Sequence, residues 1–221
     1  MSDQHIELVK RWCLALGAIF QKREGWSHET FEPREIAQQD KDFYRQALAD
    51  SWEIVNRDQL HSQLDWLYGT GQQASYIETR NLIDCMKAVR VEALACEIAE
   101  GDTERLRLSV VMQYRHALGE GGVLGFDAAR AFWICKASYL VGIMTEQEAY
   151  AYLHKFAIRV QPKFEGWHHY SLSYMVGKEF WRPSTTVDNL NLLMKDVKGL
   201  ATDPASPWLT IPWNLALPES L

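Results

Sequence analysis

The chain has 221 residues, 47% of them hydrophobic and 24% charged, with a formal net charge of −6 at neutral pH. That is the composition of an ordinary soluble globular protein, long enough for one domain with a sizeable core. The acidic excess sits in residues 1–110, which hold 13 Lys and Arg against 19 Asp and Glu, whereas residues 111–221 balance at 10 against 10. An acidic half lacks the basic face that phosphate-backbone binding needs, so no nucleic-acid partner is expected. No apolar run approaches the roughly 18 residues of a membrane span, and "MSDQHIELVKRW" carries acids and no cleavage site. The expected setting is cytoplasmic, with no membrane association.

The periodicity is helical almost throughout. The expected fold is a single all-α domain over residues 1–221, a multi-helix bundle with an extended C-terminal strap. Apolar residues at 6, 8, 9, 12, 13, 16, 19 and 20 form the stripe of one amphipathic helix. A second helix is expected from Pro33 to about Asp50, since proline is well tolerated in a first turn. Asn56 caps a third, with Gln59 at its third position and Val55 placed to staple onto Leu60, and that helix stops at Gly69. Residues 76–99 read as one longer helix ended by Gly101, and Asp102 caps another reaching about Leu118.

The glycines of "GEGGVLG" then interrupt the helical pattern. An almost wholly apolar helix follows from about Phe126 to Val141. Thr145 and Glu148 make a capping box for the next, which runs to Gln161 and ends before Pro162. Shorter helices fall at about 168–181 and 185–198. Pro204, Pro207, Pro212 and Pro218 forbid a regular helix at the C-terminus, yet Trp208 and Trp213 would be costly to leave in water. A strap packed on the bundle satisfies both demands.

Few constellations suit catalysis or a cofactor. Cys13, Cys85, Cys96 and Cys135 are scattered without a CxxC pair and read as reduced core thiols, with Cys85 and Cys96 about three turns apart on one helix face. "YGTGQQAS" has the GxGxxA spacing of a dinucleotide loop at Gly69, Gly71 and Ala74, but a helix rather than a strand precedes it. Glu165 and His168 make a lone ExxH, whereas a di-iron bundle needs two such motifs and two further glutamates. HExxH, GxSxG and GxxxxGK[ST] are absent from the sequence. No metal, cofactor or catalytic residue is expected.

Asp127 and Arg130 open the most apolar stretch of the chain. At i,i+3 on a helix they share a face and can pair, with Asp127 in the first turn where the helix dipole favours a negative charge. Such a pair locks a helix in place, or the arginine clamps a ligand carboxylate or phosphate. Both readings stand on the sequence.

"GFDAARAFWICKASYLVGIMTEQEAY", "QPKFEGWHHYSLSYMVGKEFW" and "SPWLTIPW", in that order, resemble the bacterial family catalogued as domain of unknown function 1266. The matching positions are Asp127, Arg130, Gly142, Thr145, Glu146 and Gln161. Phe164, Trp167, Gly177, Phe180, Trp181 and the Ser206–Pro207–Trp208 and Pro212–Trp213 strap complete the set. The resemblance covers about residues 50–213. Phe126 stands where the family pattern has tryptophan. Gly69–Thr70–Gly71 stands where a glycine followed by basic residues is commoner, which weakens any anion site at that loop.

Two functional classes follow. One is a non-enzymatic interaction protein, such as an immunity protein that neutralises a cognate toxin. It would contact a basic partner through Glu24, Glu29, Glu32, Glu35, Asp40, Asp42 and Asp50. The other is a small-molecule-binding or enzymatic domain using Asp127 and Arg130 in a pocket with Trp133, Trp167 and Trp181.

Overall fold

The computed structural model describes residues 2–31, 36–183 and 187–221, without the side chains of 88, 92, 95 and 187–190. In chain order the helices are α1 (Asp3–Ala15), α2 (Ala18–Glu24), α3 (Gln38–Trp52) and α4 (Arg57–Gly69). Next come α5 (Gly71–Asp84), α6 (Ala88–Glu97), α7 (Thr103–Leu118) and α8 (Leu124–Leu140). The series ends with α9 (Glu146–Val160), α10 (Trp167–Trp181), α11 (Val187–Thr202) and α12 (Pro207–Thr210). There is no strand among the described residues, and the fold is all-α. No helix among them is long and apolar enough to cross a membrane.

Local capping chemistry explains several boundaries. Asn56 accepts from the Gln59 N–H at 3.0 Å to start α4, and Asp102 accepts from the Glu104 N–H at 2.8 Å to start α7. The Thr145–Glu148 capping box forms in full at α9. Ile54, rather than Val55, enters the core before α4, and Val55 remains exposed while its N–H donates to Gln59 Oε1 at 2.9 Å.

Three expectations need correction. The first amphipathic stripe is two helices, because the chain breaks at Gly17 where the Phe132 ring occupies the space a side chain would take. The expected helix over 76–99 is also two, and the first of them starts five residues earlier, at Gly71. Cys85 and Cys96 therefore share no helix face; both are exposed, and only Cys13 and Cys135 are core thiols, their acidity suppressed by burial. The expected start at Pro33 lies outside the described residues, and α3 is described from Gln38.

Helix α8 is the hub. Fifteen of its 17 residues are buried, with α2, α3, α4, α5, α9 and α10 packed around it. Alanines at 128, 129, 131 and 137 let neighbours approach closely, which is how a helix apolar on all sides is accommodated. On α10, Gly177 faces Phe126 of α8 so tightly that an added Cβ would overlap the Phe126 side chain. Even Lys136 is buried, its Nζ donating to the Phe31 carbonyl between the Trp26 and Phe31 rings. A smaller cluster built on Tyr76, Val111, Val123 and Phe180 joins α5, α7 and α10.

The C-terminal strap packs as expected, with a single turn of helix, α12, inside it. Trp208 donates to the Ala15 carbonyl at 3.1 Å, and Trp213 to that of Gln161 at 3.2 Å. Gln161 Nε2 returns bonds to the carbonyls of Trp213 and Leu215 at 2.7 and 2.8 Å. Trp12 and Trp167 complete the seam, donating to Trp213 and Ile211.

Candidate functional site

Asp127 has no exposed surface at all. Its Oδ1 and Oδ2 accept from the backbone N–H groups of Gln72 and Gln73, at 3.0 and 2.8 Å. These are the unsatisfied donors of the first turn of α5, whose preceding residue, Thr70, supplies no side-chain cap. A carboxylate from α8 thus caps α5 from 55 residues away in the chain. Gly71 makes this possible. Its φ of +53° belongs to the left-handed region, and a Cβ there would fall on the Asp127 carboxylate. The glycine spacing that resembles a dinucleotide loop therefore does open a helix N-terminus, and the protein's own carboxylate fills it.

Arg130 Nη2 donates to the same Asp127 Oδ1. Burial pushes the Asp127 carboxyl up from its ordinary value, against the pull of Arg130 and of the two backbone N–H groups. Burial likewise pushes the guanidinium down, against the attraction of Asp127. Arg130 is 6% exposed, and its Nε is buried without a hydrogen-bond partner. Three rings cage it: Phe126, Trp52 and Trp66, with centroids 4.4, 5.4 and 5.9 Å from the guanidinium carbon.

Arg130 lines a cleft of about 480 Å³ between α2, α3, α4, α5, α8 and α10, within the size range of small-molecule sites. Four tryptophans form its walls: Trp52, Trp66, Trp133 and Trp181. Trp66 is 37% and Trp181 44% exposed, an unusual expense of apolar surface. Arg23 and Lys178 add two more cations to the lining, which among the described residues contains no carboxylate, histidine or cysteine. The ring of Phe126 lies 6.0 Å from that of Trp181, linking the α8 and α10 walls.

Trp133, Trp181 and Arg130 are thus brought together, with Asp127 directly behind Arg130. Trp167 is not. It is buried in the strap seam, 4.9 Å from Trp12 and 4.7 Å from Trp213 by ring centroid. Of the acids, Glu24, Glu29, Asp40, Asp42 and Asp50 are exposed on α2, α3 and the segment between them, and Glu32 and Glu35 lie outside the described residues. Glu29 pairs with Arg11, and Asp42 with Arg45. Glu165 precedes α10, so it shares no helix with His168, and no three potential ligands cluster around a metal position among the described residues.

Sequence reasoning missed Trp52, Trp66, Arg23, Tyr174 and Lys178. A signal for two of them exists. Phe126, Arg130 and Trp133 are spaced i, i+4, i+7 on α8, and Tyr174, Lys178 and Trp181 repeat that spacing on α10. Each set is an aromatic, a cation and an aromatic on one helix face. Both sets line the one cleft.

The architecture is that of an all-α protein whose hub helix presents a caged arginine to a cationic, tryptophan-walled cleft. The chain belongs to the family described as "Protein of unknown function (DUF1266)", whose model matches residues 47–213. That span holds every cleft residue named above except Arg23. "Uncharacterized protein YbeU" of Escherichia coli (strain K12) is 26% identical over 159 residues, covering 66% of this chain and 61% of that protein. The chain thus matches less than two thirds of that relative's length. No solved structure matches the chain.

Proposed function

We propose that this protein is a binding domain for a small organic anion with a flat aromatic body, held in the cleft around Arg130. The observation that carries the reading is the state of Arg130: caged by three rings, nearly buried, and engaged by Asp127 through one nitrogen only. Asp127 is divided between the guanidinium and the positive end of α5, so the site keeps a residual positive charge. A planar carboxylate matches the geometry of a guanidinium, and the flanking indoles offer stacking faces. The absence of a histidine, cysteine or carboxylate from the described lining supports binding rather than imidazole, carboxylate or thiol chemistry. Four free thiols support a reducing, cytoplasmic setting.

Tryptophan fluorescence tests this, because four indoles line the cleft. Benzoate and phenylacetate should quench it saturably, and the neutral isostere benzamide should not. Arg130→Lys retains a charge for Asp127 but loses the planar fork, so it should fold and bind benzoate about tenfold more weakly. Equal quenching by benzamide, or none by any of the three compounds, would sink the reading.

A second reading is favoured by one surface. Phe43 is 62% exposed beside the exposed Asp40 and Asp42 on α3. Glu24 reaches the same patch, since its charge and that of Asp40 both help hold the Tyr44 phenol above its ordinary range, behind the larger effect of burial. This combination suits a basic protein partner, such as a toxin domain neutralised by an immunity protein. Replacing Asp40, Asp42 and Asp50 with lysine should slow association with such a partner and flatten its salt dependence. The fold should survive, at about 0.5 kcal/mol or less per surface change. Unchanged rates and slopes would reduce the acids to a solvated surface.

A further inference from the structure

Resting on that reading of the cleft, we infer that its ligand is an aromatic dianion, with Arg130 binding one negative charge and Lys178, supported by Arg23, binding the other. The argument begins with charge. Three cations line the cleft and no carboxylate among the described residues lines it; Asp127 bonds Arg130, and Asp196 bonds Arg23, from outside the lining. Asp127 is shared between Arg130 and two backbone N–H groups of α5. Asp196 is bonded to Arg23 Nε and, ahead of Glu179, is the stronger attractive charge acting on Lys178. Asp127 and Asp196 thus each answer to two positive centres, and the lining itself carries an excess of positive charge.

Lys178 is the more exposed to this excess. It is half-buried and has no salt bridge among the described residues, and burial together with the Arg23 charge makes its ammonium easier to deprotonate. An anion beside it would relieve both effects. Tyr174 lines the same cleft as Arg23, Lys178 and Arg130, so the two centres belong to one site. Burial pushes its phenol up to about 12, which keeps it a neutral hydroxyl beside them.

The rings define the rest of the molecule. Phe126 stands next to Arg130, and its ring meets both Tyr174 and Trp181, at 5.7 and 6.0 Å between centroids. The aromatic–cation–aromatic faces of α8 and α10 therefore offer an apolar bed joining two cationic contacts. A monoanion would satisfy one of them and leave the other bare. A ligand with a doubly charged phosphate, or with two carboxylates, would satisfy both.

The test is a fluorescence titration of the full chain at pH 8 with benzoate, phenyl phosphate and isophthalate. A phosphate monoester carries close to two charges at that pH. At least one dianion should bind about tenfold or more tightly than benzoate, the size expected of one additional charged hydrogen bond. Phenyl phosphate as the better ligand would assign a single doubly charged group, and isophthalate two separate ones. Lys178→Gln, checked for an unchanged melting temperature, should remove most of that advantage and weaken benzoate far less than it weakens the dianion. Benzoate binding as tightly as both dianions would overturn the inference while the cleft reading stands. A dianion advantage that survives Lys178→Gln would overturn the assignment to Lys178. Failure of all three compounds to bind would remove the cleft reading itself.

Discussion

The molecule uses tryptophan in two contrasting ways. In the strap seam, Trp12, Trp167, Trp208 and Trp213 each donate the indole N–H to a backbone carbonyl, at 2.8–3.2 Å. Their rings pack on one another with no cation among them, and Trp167 and Trp208 are almost fully buried. In the cleft, Trp52, Trp66, Trp133 and Trp181 stand beside three cations, and two of them remain more than a third exposed. Satisfied indoles buried without charge hold a chain segment down. Indoles left partly in water around a caged arginine are, on the reading proposed above, a surface for a ligand. Tryptophan content is the same in both regions; exposure and the neighbouring charge separate them.

The largest expected effect lies under the cleft. Asp127→Ala strands Arg130 and uncaps α5, and should lower stability by about 3–5 kcal/mol in a denaturant titration. A loss below about 1 kcal/mol would show that the pair is not structural and would leave Asp127 to the ligand site alone. Gly71→Ala attacks the same junction from the other side. A left-handed φ costs a non-glycine residue about 1–2 kcal/mol, and the new methyl must also displace the carboxylate, so roughly 2–3 kcal/mol is expected from the same titration. Full retention of stability would mean that Asp127 can cap α5 from a different position.

In the seam, Gln161→Ala removes both donors to the Trp213 and Leu215 carbonyls and should cost about 1–3 kcal/mol by thermal unfolding. Benzoate binding to the folded variant should not change. A weakened affinity would show that strap and cleft are coupled and blur the distinction drawn between them.

The smallest effect serves as a control in neither region. The Thr145 N–H, Arg57 and the Thr145 hydroxyl hold Glu148 well below the carboxylate range, at about 2. A depressed acid stabilises the fold fully above its unfolded value near 4.5 and loses that contribution as pH falls toward about 2. Glu148→Gln should therefore lower Tm at pH 7 by only ~1–3 °C, because solvent screens this partly exposed group. The gap should close as pH drops through that window, and a gap constant from pH 7 to pH 2 would exclude the ionised carboxylate as its source.

What the sequence determined by itself was local. Asn56, Asp102 and the Thr145–Glu148 box set helix starts because a capping side chain and its N–H target lie within three residues of each other. The apolar stretch from Phe126 announced a buried helix, and the prolines and tryptophans after Asp203 announced a strap. The Asp127–Arg130 pair was also legible, since i,i+3 spacing suffices to place both on one face.

Tertiary structure decided the rest. The split at Gly17 depends on a ring from α8, and the start of α5 at Gly71 depends on a carboxylate that arrives from α8. No local pattern encodes a cap supplied from so far along the chain. The cleft likewise exists only where six helices converge, bringing Trp52, Trp66 and Lys178 to Arg130 and carrying Trp167 away to the strap. Spacing along one helix fixes which residues share its face, but which neighbour covers that face is set by packing around α8, where burial and charge compensation are settled together.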